Sequence, residues 1–213
     1  MKIGILGTGN VAKGLGKALT HHGYHVMFGS REAAKANALA GEMEHYASGG
    51  TIANAIHYGE IVILAVPYKA VDDVLRNIDT FRDKVVVDCT NPIIFGEMAE
   101  LAIGHTTSAA EQISRMIPEA RVVKAFNTSF ANHFANGPYF GPHDASMFYC
   151  GDDDQAKESV CRLIEAVGFE PVDCGPLNSA RMLEPMAALI IRLGYNLGMG
   201  NEIAFKLLKR DYV

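Results

Sequence analysis

The chain has no excess of positive charge: 19 Lys and Arg stand against 24 Asp and Glu, a formal net charge of −5. Nucleic acids and anionic membranes are polyanions that favour a basic face. The balance therefore excludes both as main partners and leaves room only for a local basic feature built around one phosphate group. Cysteine is sparse. Cys89, Cys150, Cys161 and Cys174 show no C-x-x-C spacing and sit among apolar or strand-like neighbours, which reads as buried, reduced thiols of a cytoplasmic protein. Long apolar runs are missing as well. The longest late stretch, 186–191, is bracketed by Glu184-Pro185 and Arg192 and is too short and interrupted to span a bilayer. Met1-Lys2 leads straight into a strand-like segment, so no signal peptide is expected. Internal repeats and low-complexity tracts are absent. What remains is an ordinary globular composition: 213 residues, 49% hydrophobic and 20% charged, enough for one large domain or for one domain with a small appendage.

The pattern along the chain alternates short apolar runs with helical periodicity. Residues 3–6 read as a strand. Val11, Leu15, Ala18 and Leu19 recur at helical spacing until Gly23 stops them, and 24–28 reads as a second strand. Ser30 fits an N-cap for a helix over about 31–43. A weak strand is expected near 45–47, before a Ser48-Gly49-Gly50 turn. Residues 61–66 and 85–87 are continuous apolar runs, the mark of strands covered on both faces, and 121–126 is a further candidate. This alternation predicts an α/β fold with a doubly wound, mostly parallel sheet. The Gly-Pro breaks within 132–145 place a boundary between a domain of residues 1–140 and a small C-terminal one of residues 141–213. The latter reads as strand 146–150, helix 153–167, strand 170–173 and two helices near 178–193 and 199–210.

Between the first strand and helix lies Gly7-Thr8-Gly9-Asn10-Val11-Ala12. Gly7 permits a tight turn and Gly9 lets the backbone approach a pyrophosphate. Ala12 replaces the third glycine of the dinucleotide fingerprint, and the helix N-terminus offers free N–H groups to the anion. NAD-binding chains usually end the second strand with an acid that holds the ribose 2′-hydroxyl. Here the strand ends in Gly29-Ser30-Arg31, with Lys35 one helical turn on, groups suited to the 2′-phosphate of NADP(H). Two alternatives stay open: Ser30 as a simple cap with Arg31 and Lys35 on a solvated face, and Glu32 turned to the ribose. Three further strand ends should line the same crevice: Ala65-Val66-Pro67-Tyr68, Thr90-Asn91-Pro92 and Ala125-Phe126-Asn127-Thr128. Plain turn chemistry explains each of them equally well.

Taken in order, these segments, together with Val122-Val123-Lys124-Ala125-Phe126-Asn127, Cys150-Gly151-Asp152-Asp153 and Val172-Asp173-Cys174-Gly175-Pro176-Leu177, resemble the NADPH-dependent deazaflavin (coenzyme F420) reductases. They are also similar to the cytosolic reductase domain of the six-transmembrane epithelial antigen of prostate metalloreductases. The resemblance implies a homodimer with NADP(H) in the N-terminal domain and a small-molecule acceptor stacked near the nicotinamide, in a cleft partly closed by the C-terminal helices. It implies phosphate contacts from Gly7, Thr8, Gly9, Asn10 and Val11, and 2′-phosphate contacts from Ser30, Arg31 and Lys35. Ala65, Pro67, Tyr68, Asn91, Pro92, Asn127 and Ala131 would lie along the cofactor, with Phe126, Thr128 and Met186 on the acceptor wall. Archaeal members carry a His-Thr-Ile-like stretch where this chain has Asn127-Thr128-Ser129, so the acceptor stays open between a deazaflavin, a flavin and another oxidant such as a ferric chelate.

Hydride transfer between two stacked cofactors depends on proximity and exclusion of water, and needs no side-chain nucleophile. None is assigned. A metal reading of His21-His22-x-x-His25 is disfavoured because the ligands would straddle a helix end, where histidine is favourable anyway. Asp152-Asp153-Asp154 reads as acids at a helix start, and the remaining histidines show no ligand spacing. A second class stays open: a binding module that senses NADP(H) without turnover.

Overall fold

The computed structural model describes residues 1–210 other than 44, 77, 79, 80, 97 and 104. Its first unit is β1 (Lys2–Leu6), α1 (Asn10–His21), β2 (His25–Ser30), α2 (Ala33–Gly41), β3 (Ala47–Thr51) and α3 (Ile52–Tyr58). Then come β4 (Ile61–Leu64), α4 (Val71–Leu75), β5 (Val85–Asp88), β6 (Ile93–Phe95), β7 (Ala99–Leu101), α5 (Ala109–Met116) and β8 (Arg121–Lys124). The chain continues through α6 (Ala131–Asn136), β9 (Tyr139–Phe140), β10 (His143–Asp144), β11 (Ser146–Gly151), α7 (Asp154–Ala166), β12 (Glu170–Asp173) and α8 (Ala180–Ile191).

Eight strands form one sheet in the order β12-β11-β8-β5-β4-β1-β2-β3. All neighbouring pairs from β8 to β3 are parallel, while β11 joins β8 antiparallel and pairs in parallel with β12. Strand alternation sorts the core into two layers. Ile3, Ile5, Ile61, Ile63, Val85, Val87 and Val123 face α1, α2, α6 and α7. Leu6, Val62, Leu64, Val86 and Val122 face α3, α4, α5 and α8. A strand buried on both faces has no reason to alternate with polar residues, and this explains the unbroken apolar runs of β4 and β5.

The strand order reverses between β1 and β4, so helices leave these two neighbours on opposite faces and open a crevice at their carboxyl ends. Among the described residues, no helix is long and apolar enough to cross a membrane.

Three expectations are corrected. Ser48-Gly49-Gly50 is not a turn but the middle of β3. A Cβ on Gly49 would lie 2.3 Å from Asn37 N and 2.4 Å from Ala36 C, so the glycine lets the strand pass beneath α2. The helix over 31–43 starts later, at Ala33, with Glu32 rather than Ser30 as the capping residue. The helix expected over 199–210 does not form. Gly198 and Gly200 adopt φ of +74° and +78°, and the chain beyond them runs without regular structure alongside β11. There Ser146 N–H donates to the Phe205 carbonyl (2.9 Å) and Leu207 N–H donates to Ser146 Oγ (3.1 Å). The preceding helix fares better: α8 runs to Ile191 and passes into a π-helical turn at Arg192–Asn196.

Candidate cofactor and acceptor site

The turn after β1 is set by backbone geometry. Gly7 has φ of +119°, a Cβ there would lie 2.3 Å from the Ala65 carbonyl oxygen, and its N–H donates to the Gly29 carbonyl at 2.9 Å. Only glycine fits a turn clasped this closely between β2 and the end of β4. Gly9 is different. A Cβ there would meet nothing within 4 Å, so its backbone borders open space. Gly9 caps α1 without any side-chain bond, and the first intrahelical bond runs from Lys13 N–H to its carbonyl (2.9 Å). The N–H groups of Asn10, Val11 and Ala12 precede that bond and have no partner inside the helix. Open space before an uncapped N-terminus of a twelve-residue helix fits a pyrophosphate.

Ala12 is fully buried against the sheet. Close packing of α1 falls instead to Gly14 and Gly16, whose Cβ atoms would come within 2.8 Å of the Ala131 carbonyl oxygen and 2.2 Å of the Phe28 ring. Neither was anticipated, although G-x-G spacing inside a helix is itself a sign of close approach.

At the end of β2, Ser30 Oγ accepts from Glu32 N–H at 3.3 Å. Arg31 is exposed and forms no salt bridge among the described residues, whereas Lys35 Nζ binds Glu32 Oε1 at 2.7 Å. The hydrogen bond and charge of Lys35 hold the Glu32 carboxyl below the usual carboxylate range. The expected phosphate ligands are thus brought together, but with an acid among them.

The ends of β5 and β8 are more enclosed than that of β4. Pro67 is exposed and leads into a 3-10 turn at Tyr68–Ala70, and Tyr68 Oη donates to Gln112 Oε1 at 2.7 Å. Burial first, then the Glu184 and Asp88 carboxylates, push the Tyr68 phenol up, so it keeps its proton. Asn91 and Asn127 clasp each other: Asn91 Nδ2 donates to the Asn127 carbonyl (3.0 Å), and Asn127 Nδ2 donates to Asn91 Oδ1 and the Leu183 carbonyl (both 3.1 Å). Pro92 is buried beside them, and Ala131 opens α6 half-buried.

Phe126 takes φ of +61° and turns its ring into the core, edge-on to Phe134 at 5.7 Å, with 1% exposure. Thr128 is also buried, its hydroxyl directed at Met147 Sδ (3.7 Å). Of the three side chains expected on the acceptor wall, only Met186 retains partial exposure.

Beneath this end of the sheet lies a charge cluster that the sequence did not announce. Lys124 Nζ, on β8, sits 2.9 Å from Asp88 Oδ2 and 3.1 Å from Glu184 Oε1 on α8, with the side chains at 0%, 0% and 3% exposure. It also donates to the Thr90 carbonyl. Asp88 Oδ1 accepts from Thr90 N–H at 2.8 Å, and Glu184 accepts from Ala109 and Ala110 N–H (3.0 and 3.2 Å) at the start of α5. Burial alone would push the Lys124 ammonium down; Asp88 and Glu184 overcome it and keep the amine charged. Arg181 adds a two-pronged bond to Glu111 (2.9 and 2.6 Å), tying α8 to α5.

Cys150 is buried, and that burial pushes its thiol up to about 12, leaving no thiolate nucleophile at neutral pH. Asp153 caps α7 through Ala156 N–H (2.7 Å), and Asp152 accepts from Leu177 N–H (2.8 Å). A cavity of about 440 Å³ lined by His21, His22, His45 and Tyr46 opens where α1 and α2 end, away from the glycine turn.

Residues 2–92 match the family described as NADP oxidoreductase, coenzyme F420-dependent. The F420-dependent NADP reductase of Methanothermobacter thermautotrophicus is 33% identical over 208 residues, covering 91% of this chain and 89% of that protein. The rat metalloreductase STEAP3 is 32% identical over 86% of this chain, which spans 36% of that protein's length. A protein of Arthrobacter sp. FB24, solved as a candidate F420-dependent NADP reductase, superposes with a TM-score of 0.88 at 30% identity, covering 98% and 100% of the two chains. A reductive aminase of Aspergillus terreus in complex with NADPH, at 20% identity and a TM-score of 0.65 over 89% of this chain and 59% of its own, shares the fold alone. The chain belongs to the F420-dependent NADP reductase family and is an NADP-dependent oxidoreductase.

Proposed function

We propose that the protein transfers hydride between NADP(H) and the deazaflavin coenzyme F420. The observation that carries this reading is the open space at Gly9 before the uncapped start of α1, followed along the same crevice by the Ser30-Arg31 end of β2. Residues Gly7, Thr8, Gly9, Asn10 and Val11 hold the pyrophosphate on backbone N–H groups. Ser30, Arg31 and Lys35 hold the 2′-phosphate. Ala65, Pro67, Tyr68, Asn91, Pro92, Asn127 and Ala131 line the nicotinamide half, and Met186 borders the acceptor.

When bound, NADPH supplies a hydride and F420 takes it up with one proton from solvent, giving NADP⁺ and the reduced deazaflavin. The residues of this chain then have positioning work to do. The Asn91–Asn127 clasp fixes the ends of β5 and β8 relative to α8. The buried Lys124 cluster holds α8 and α5 against that floor through direct contacts. Proximity and desolvation of this kind are the main protein contribution to hydride transfer.

Residues 141–213 supply α8 on the acceptor side. The exposed apolar side chains of Met182, Leu189, Tyr195, Leu197 and Met199 support a homodimer formed through that region.

The test is anaerobic turnover of NADPH with F420, FMN and a ferric chelate in parallel. Fast bleaching of F420 and slow or absent reaction with the others is expected. Tight NADPH binding with no turnover on any acceptor would reduce the protein to a sensor.

A further inference from the structure

Glu32 contacts two of the three groups assigned to the 2′-phosphate. Its N–H donates to Ser30 Oγ at 3.3 Å, and its Oε1 lies 2.7 Å from Lys35 Nζ. Arg31 is its immediate neighbour in the chain and is exposed, without a salt bridge among the described residues. The residue stands in extended conformation (φ −107°, ψ 97°) directly before α2, at the end of the strand that faces the crevice.

We propose that Glu32 sets the coenzyme preference of the adenosine end, competing with a 2′-phosphate for Lys35 and accepting a bare 2′-hydroxyl, so that the protein uses both NADP(H) and NAD(H). The inference rests on the reading of Ser30, Arg31 and Lys35 as phosphate ligands. A 2′-phosphate is a dianion near neutral pH. To reach Lys35 it must displace a carboxylate from the same ammonium and then sit beside that carboxylate, both unfavourable. A 2′-hydroxyl is a donor, and a carboxylate accepts it while keeping its lysine partner. Ser30 is indifferent to the choice. Its oxygen accepts from Glu32 N–H, which leaves its own proton free for either ligand.

The alternative is an ordinary i,i+3 pair that steadies the first turn of α2. The two roles differ in what they predict for a nucleotide that carries the 2′-phosphate. The experiment compares the full-length protein with Glu32→Gln, which removes the charge and keeps the size. Calorimetry measures dissociation constants for adenosine 2′,5′-bisphosphate and 5′-AMP, and steady-state rates with F420 give KM and kcat for NADPH and NADH.

Glu32→Gln is expected to tighten the bisphosphate about five- to tenfold and to leave 5′-AMP within about twofold, with the bisphosphate gain growing as salt is lowered. The ratio of kcat/KM for NADPH over NADH should rise through KM. Unchanged discrimination, or weaker bisphosphate binding, would overturn the proposal. Arg31→Ala, run alongside, separates the two layers. If it weakens both nucleotides equally, the phosphate-site reading fails. If it is selective for the bisphosphate while Glu32→Gln changes nothing, only the role of Glu32 fails.

Discussion

The two halves of the crevice are built on opposite principles. The donor half is made of backbone and surface: a glycine turn, unbonded helix N–H groups and exposed charges at the end of β2. The floor beneath the acceptor half is made of buried charge, with Lys124 held between Asp88 and Glu184 from three separate elements. The first arrangement leaves the N–H groups at the start of α1 and the Arg31 guanidinium without a protein partner among the described residues and ties Lys35 only to the exposed Glu32. The second satisfies its groups internally and spends them on holding helices in place. Binding sites and supports therefore look different in the same sheet: open valences mark the former, closed networks the latter.

Substitutions that keep these two roles apart test the contrast. The largest effect should come from Lys124→Met, which strands two buried carboxylates. A loss of about 3–5 kcal/mol of unfolding free energy is expected in denaturant titration. Replacing Asp88, Lys124 and Glu184 together by apolar residues of similar size should recover much of it, because no orphaned charge remains. Unaltered stability in Lys124→Met would show that the cluster is not a support.

Gly9→Val should do the reverse. A Cβ there would meet no neighbouring protein atom within 4 Å, so the melting temperature should hold while NADPH affinity falls by roughly 100-fold through lost charge-assisted bonds to the pyrophosphate. If stability fell with affinity, the open space at Gly9 would not be a ligand site.

Arg31→Ala comes next. A loss of about 10- to 100-fold in kcat/KM for NADPH, with NADH little changed, follows from one charge-assisted contact to the 2′-phosphate. Equal losses for both coenzymes would detach Arg31 from that phosphate.

The smallest effect concerns pH. Hydrogen bonding to Arg181 holds the Glu111 carboxyl below its ordinary value in the folded chain. The unfolded state therefore takes up the proton first, and the stability this pair contributes is present above the ordinary carboxylate range and lost as pH falls through the lowered folded value. Glu111→Gln should flatten that part of the acid limb in a pH series of thermal melts. An unchanged limb would show that the α5–α8 tie adds nothing.

The same contrast explains what the sequence could reveal. The donor half is local: Gly7, Gly9, Ser30 and Arg31 lie within one βαβ unit, and each residue type has a turn or charge reason legible on its own. The strands β4 and β5 were equally plain, because burial on both faces leaves a run of Ile, Val and Leu. Lys124 gave no such signal. It stands in an apolar strand, and its partner Asp88 lies 36 positions away, so only the fold brings them together.

The burial of Phe126 and Thr128 has a related reason. Residues after a strand can face the crevice or fold back, and the left-handed backbone of Phe126 sends its ring to the core. The short helix α3 escaped notice although Thr51 and Asn54 cap it reciprocally, because a seven-residue helix shows too little periodicity to read. In the C-terminal stretch, apolar spacing suggested a helix, but two glycines and the bonds to Ser146 draw the chain out along β11.

The central claim is direct transfer between two cofactors held face to face in this crevice. NADPH carrying deuterium at both positions of the nicotinamide C4 should pass one label to F420, and mass spectrometry of the reduced deazaflavin should find it retained in ordinary water. Reduced deazaflavin without label, or label released to solvent, would contradict the account.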